Sequence, residues 1–200
     1  MPRTAFRLLV TVVFLLAPSI AFAHPGHGAE SSLLAGFIHP FGGIDHLLAM
    51  IAVGLFAAHL GGRALWAVPA SFVAVMALGG IFGAAGVSLP FAETAIALSV
   101  LVFGIVIFTG MAPPVLAAMA LVGLFAAFHG YAHGSEMPVN VSAIDFGIGF
   151  MAATALLHGC GIALGLAIGR AAEAPRRRAM QTCGAAIALI GAGLTIGLVI

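Results

Sequence analysis

Apolar residues run through this chain in long blocks separated by glycine, proline or charge. Past the N-terminal stretch, blocks long enough to cross about 30 Å of hydrocarbon cover Leu33 to Leu60, Leu65 to Ala85, Phe91 to Gly110, Pro114 to Tyr131, Ser142 to Ile168 and Ala179 to Leu198. Six transmembrane helices are therefore expected, in an all-α polytopic bundle. The first block contains Pro40 and the pair Gly42-Gly43. Proline lacks an N–H and glycine permits a turn, so regular helix is expected to begin only near Gly43. Gly79 and Gly83, and likewise Gly161, Gly165 and Gly169, recur every four residues. Small residues at that spacing let membrane helices approach closely.

The N-terminus has its own pattern: Arg3 and Arg7, the apolar run Leu8 to Leu16, then Ala21-Phe22-Ala23. A basic start, a short apolar run and an A-x-A site make residues 1–23 a secretory signal peptide, with an uncleaved anchor helix as the alternative. The remainder, 24–200, would then form the six-span domain and start at His24, followed by Pro25-Gly26-His27-Gly28. A free amine with His24 and His27 could capture a metal, although a histidine-bearing tail without that role fits equally well. With the mature N-terminus outside, Arg63, Arg170, Arg176, Arg177 and Arg178 all fall in loops facing the cytoplasm. That satisfies the positive-inside rule, and an even number of spans leaves both termini periplasmic. The loops on the outer side carry Glu93 and Glu136.

Composition narrows the class. Residues are 62% hydrophobic and 6% charged, against about 25% charged in soluble domains, so the lipid bilayer is the solvent for most of this chain. A net charge of +1 offers no basic surface for nucleic acid. Cys160 and Cys183 both sit in apolar runs and make neither a disulfide framework nor a CxxC site. No GxxxxGK[ST] phosphate loop occurs, so ATP hydrolysis by that route is absent.

Against this apolar background two polar clusters stand out. His129 and His133 are four apart and Glu136 follows at three, so on a helix all three share a face and two imidazoles can reach one cation. His39, Asp45 and His46 form the other cluster. In the six-span topology the first cluster ends span four and the second begins span one, both on the outer side. Three spans and three spans of opposite direction are also the pattern of an inverted repeat with interrupted helices at its site. Asp145, at the outer start of span five, could complete the ring. His158 and Cys160 lie deeper on that span and His59 lies at the inner end of span one, so together they could mark a route inward. A single buried histidine reads equally well as a hydrogen-bonded structural group, and Cys160 as an apolar filler. Ionisable groups at membrane depth cost about 2.5–3.5 kcal/mol each, which makes the clusters functional candidates.

The stretches His39-Pro40-x-x-Gly43-x-Asp45-His46 and Phe128-His129-Gly130-x-Ala132-His133-Gly134-x-Glu136 resemble the two signature motifs of the HupE/UreJ family of nickel and cobalt permeases. The signal peptide and six-span layout are similar too, over essentially the whole chain. The resemblance implies uptake of Ni²⁺, or Co²⁺ in some members, from the periplasm across the bacterial inner membrane, in support of hydrogenase, urease or cobalamin synthesis. It implies His39, Asp45, His46, His129, His133 and Glu136 as the functional residues.

Donor chemistry agrees. Imidazole suits nickel, cobalt, copper and zinc, while the absence of thiolate from the clusters disfavours Cu(I) and structural zinc. Neutral imidazole is the ligand form, so binding should weaken as pH falls through about 6.5. The expected function is a permease rather than an enzyme, with the metal ion as substrate and no prosthetic group. The alternative from another class is an intramembrane zinc-dependent hydrolase, in which the same residue types hold a metal-bound water that attacks a lipid amide or ester.

Overall fold

A computed structural model describes residues 29–138 and 140–198. The chain order is α1 (Ala29–Ile38), a 3₁₀ turn (His39–Phe41), α2 (Ile44–Leu60), α3 (Ala64–Ala84), α4 (Ala92–Thr109), α5 (Val115–Ser135), α6 (Ala143–Gly169) and α7 (Glu173–Gly197). Five helices, α3 to α7, are long and apolar enough to cross a bilayer. The first apolar block does not form one helix: Ser32–Phe41 and Ile44–Leu60 meet at 81° and count as a sixth span only if taken together. The cause lies where the sequence puts it. Pro40 occupies the 3₁₀ turn, and Gly43 caps α2 in an extended conformation. The proposed signal peptide, with His24 and His27, lies outside the described residues.

Two boundaries move in an informative way. α5 continues past Tyr131 to Ser135, because Gly134 packs against the backbone of Gly80 and the Ser135 hydroxyl donates to the Ala132 carbonyl. His133 therefore stays on the helix. α7 starts at Glu173 rather than near Ala179. Arginine is a good helix former, so the helix outlasts the apolar block and carries the exposed Arg176, Arg177 and Arg178 on its first turns.

Three helix pairings dominate the packing: α3 with α5, α4 with α7, and α2 together with α1 against α6. Glycine sits at each seam. A methyl on Gly79 or Gly83 would overlap the backbone of α5, one on Gly130 or Gly134 the backbone of α3, and one on Gly54 or Gly161 the facing backbone between α2 and α6. Gly104, Gly184 and Gly191 do the same between α4 and α7. Gly165 also faces α2, whereas Gly169 faces open space and makes no such contact. Large side chains fill the centre, Met50, Phe56, Phe72 and Phe103 being fully buried, while Trp66, Leu78, Ile81, Leu116 and Leu189 point outward. An apolar exterior around helices joined at glycine seams is the arrangement that suits lipid.

Candidate metal centre

The bend after α1 positions the cluster of His39, Asp45 and His46. It sets His39 in the 3₁₀ turn, directly above the start of α2, so that His39 and His46 face the end of α5 together. The His39 and His133 rings lie edge to face with centroids 4.7 Å apart, His46 and His133 are 4.3 Å apart, and His46 and His129 5.2 Å. Donor atoms of His39, His133 and Glu136 all fall within 4.8 Å of one another, the one such His/Cys/Asp/Glu group among the described residues. The two sequence clusters thus meet at one end of the bundle. Glu136, at the C-terminal cap of α5, is exposed, while His133 and His129 are buried.

Two of the imidazoles, His46 and His129, are aimed by a neighbour. Asp45 Oδ1 accepts from the backbone N–H of His46 at 2.8 Å and lies 2.8 Å from His46 Nδ1. Proton sharing there leaves His46 Nε2 with a free lone pair. His129 Nδ1 donates to the Phe125 carbonyl at 2.9 Å, which does the same for its Nε2. An anchored ring nitrogen that fixes tautomer and orientation is the usual support of a metal-binding histidine. The remaining nitrogens, His46 Nε2, His129 Nε2 and both of His133, are buried without a hydrogen-bond partner. Buried polar atoms in that condition call for an explanation. A cation shared by several of them supplies one.

Aromatic rings wall the cluster. Phe150 packs on His133 at 4.1 Å, Phe146 on His39 at 5.4 Å, and Phe72 on His129 at 5.5 Å. The Phe72 ring centroid also lies 5.1 Å from that of His158, which is buried with both nitrogens unpartnered. Phe72 thus separates the outer histidines from the deeper one. An apolar groove of about 340 Å³ between α3, α5 and α6 also reaches His133. Sequence reasoning missed Phe72, Phe146 and Phe150, because phenylalanines in apolar blocks carry no polar signal. It placed Glu93 on the outer side at a helix N-terminus, without a part in the site. Glu93 begins α4 and falls within electrostatic reach of Glu136, His46 and Asp45.

The remaining candidates separate. Asp145 is half-buried in the first turn of α6, where its N–H bonds to Ser142 Oγ at 3.3 Å, and it is not among the converging donors. Cys160 is exposed on the outside of α6, not beside the buried His158, because two positions along a helix turn the side chain by about 200°. His59 lines a separate cavity at the opposite end of the bundle.

Comparison with known proteins accords with this geometry. The profile of the HupE / UreJ protein family matches residues 12–194. Protein HupE of Rhizobium leguminosarum bv. viciae is 46% identical over 192 residues, which span 96% of this chain and 98% of that protein. No solved structure matches. On both counts the chain belongs to the HupE/UreJ family.

Proposed function

We propose that this protein is an inner-membrane permease that carries Ni²⁺, or Co²⁺, from the periplasm to the cytoplasm. Membership of a metal-transport family gives the class. The observation that carries the specific reading is the meeting of two distant histidine and carboxylate clusters at one end of an apolar bundle, with their free nitrogens turned inward. In this reading α1 and α2 form one bent span, giving six, and residues 1–23 are removed on export. The acids Asp45, Glu93 and Glu136 draw a divalent cation to the mouth. His39, His46, His129 and His133 replace part of its water, and His158 receives it past Phe72.

Neutral nitrogen donors hold the ion without a closed thiolate shell, so release remains feasible. Inward movement of a divalent cation gains about 4.6 kcal/mol at 100 mV, which is a sufficient driving force without ATP. The apolar groove at His133 is the feature a lipid-cleaving metal hydrolase would need, and it keeps that second reading open to test. Accumulation of radioactive nickel by cells expressing the wild-type chain, His133→Ala or Asp45→Ala separates the two. Uptake above the vector control that both substitutions abolish is expected; wild-type uptake equal to the control would remove the permease reading.

A further inference from the structure

The three dominant helix pairings have a symmetry. Number the spans with α1 and α2 as the first, and α3 to α7 as the second to sixth. The pairings are then two with four, three with six, and one with five. Exchanging the first three spans with the last three turns one-with-five into four-with-two and leaves three-with-six unchanged. The three dominant pairings thus map onto themselves, as they do in an inverted repeat, whereas the lesser contacts of span one with spans two and three have no counterpart between span four and spans five and six. The same exchange relates the end of α2 to the end of α5, and the start of α7 to the start of α4. His59, next to last on α2, becomes the counterpart of His133, and Glu173 in the first turn of α7 that of Glu93 in the first turn of α4.

These counterparts surround a second cavity. It has a volume of about 370 Å³, lies at the end of the bundle away from the histidine cluster, and takes His59, Thr109, Glu173, Arg176, Arg177 and Gln181 into its wall. His59 is thirteen residues beyond His46 on α2, roughly 20 Å along the axis. Its Nε2 is buried with no hydrogen-bond partner. His158, eight residues past Phe150 on α6 and seven before Gly165 in the cavity wall, lies about midway between the two ends.

From this we infer that the cavity at His59 and Glu173 is a second transition-metal site, the inner mirror of the outer cluster, from which the ion leaves. The inference rests on the permease reading for its direction, though not for binding itself. Its charge differs from the outer mouth: one carboxylate faces two guanidinium groups, where the outer end gathers Asp45, Glu93 and Glu136. A cation is therefore held more weakly at the inner end, as suits release.

Equilibrium dialysis of the purified full chain against Ni²⁺, together with uptake by proteoliposomes, tests it. The wild type should bind a tight and a weaker ion. His59→Gln, which keeps the side-chain volume and polarity, and Glu173→Gln should each lose the weaker ion, keep the tight one, and lower the initial uptake rate at least tenfold. His133→Ala should lose the tight ion and keep the weaker. Retention of both ions by His59→Gln, or a wild type that binds one ion removed by His133→Ala, would overturn the inner site. If instead His59→Gln loses an ion while His133→Ala loses none, the inner site stands and the outer assignment fails.

Discussion

Gly130, between His129 and His133, lets a single methyl test whether the site depends on the closeness of α3 and α5. A Cβ at this position would fall well inside the contact distance of the Met76 carbonyl oxygen, with the Gly80 backbone behind it. Neither obstacle is a side chain that can swing away. To restore van der Waals separation α5 must withdraw by roughly 1 Å, about twice the 0.5 Å within which a functional constellation tolerates displacement. Overpacking of this kind costs about 1–3 kcal/mol, and the better helix propensity of alanine returns at most about 1 kcal/mol. Gly123 provides the control on the same seam, since a methyl there meets only Val75 Cγ2 at 3.5 Å, an ordinary contact. In detergent, Gly130→Ala should melt several degrees below the wild type and bind Ni²⁺ at least about tenfold more weakly, one tenfold step being 1.4 kcal/mol. Gly123→Ala should match the wild type in both. Equal melting and equal nickel affinity for the two variants would refute the argument that glycine contact sets the positions of His129 and His133.

Two further outcomes follow from the same geometry. Asp45→Asn keeps the shape but removes the carboxylate that aims His46; loss of such support lowers metal affinity about 10–100-fold, and unchanged affinity by calorimetry would deny Asp45 that role. Cys160→Ser should leave nickel uptake unchanged, because the thiol faces outward from α6, and a severalfold fall in uptake would return it to the route.

The parts of this molecule that could be read from its residues are those where polarity or backbone chemistry changes abruptly. Pro40 and Gly42-Gly43 marked the break before α2, and the histidine clusters stood out because nothing near them is polar. The exchange of neighbours inside the bundle was harder. A helix that is apolar on every side carries no amphipathic period to say which face is interior, so the walls formed by Phe72, Phe146 and Phe150 were invisible, and Cys160 could not be told from His158 in direction. The same reason hid the difference between Gly165, which meets α2, and Gly169, which meets nothing. The 81° turn was a further surprise in degree: the glycines permit a bend, but its size is set by α1 docking on α6, where Gly36 abuts Phe146 and Gly149 abuts Leu33.

The glycine seams also have a mechanical meaning. Helices fused so closely move as one body, so α3 with α5 forms one strut, and α1, α2 and α6 form another. His129, His133 and Glu136 ride on the first strut and His39, Asp45 and His46 on the second; deeper in, Phe72 belongs to the first and His158 to the second. In the proposed permease, an ion held from both sides would be a rivet between two beams.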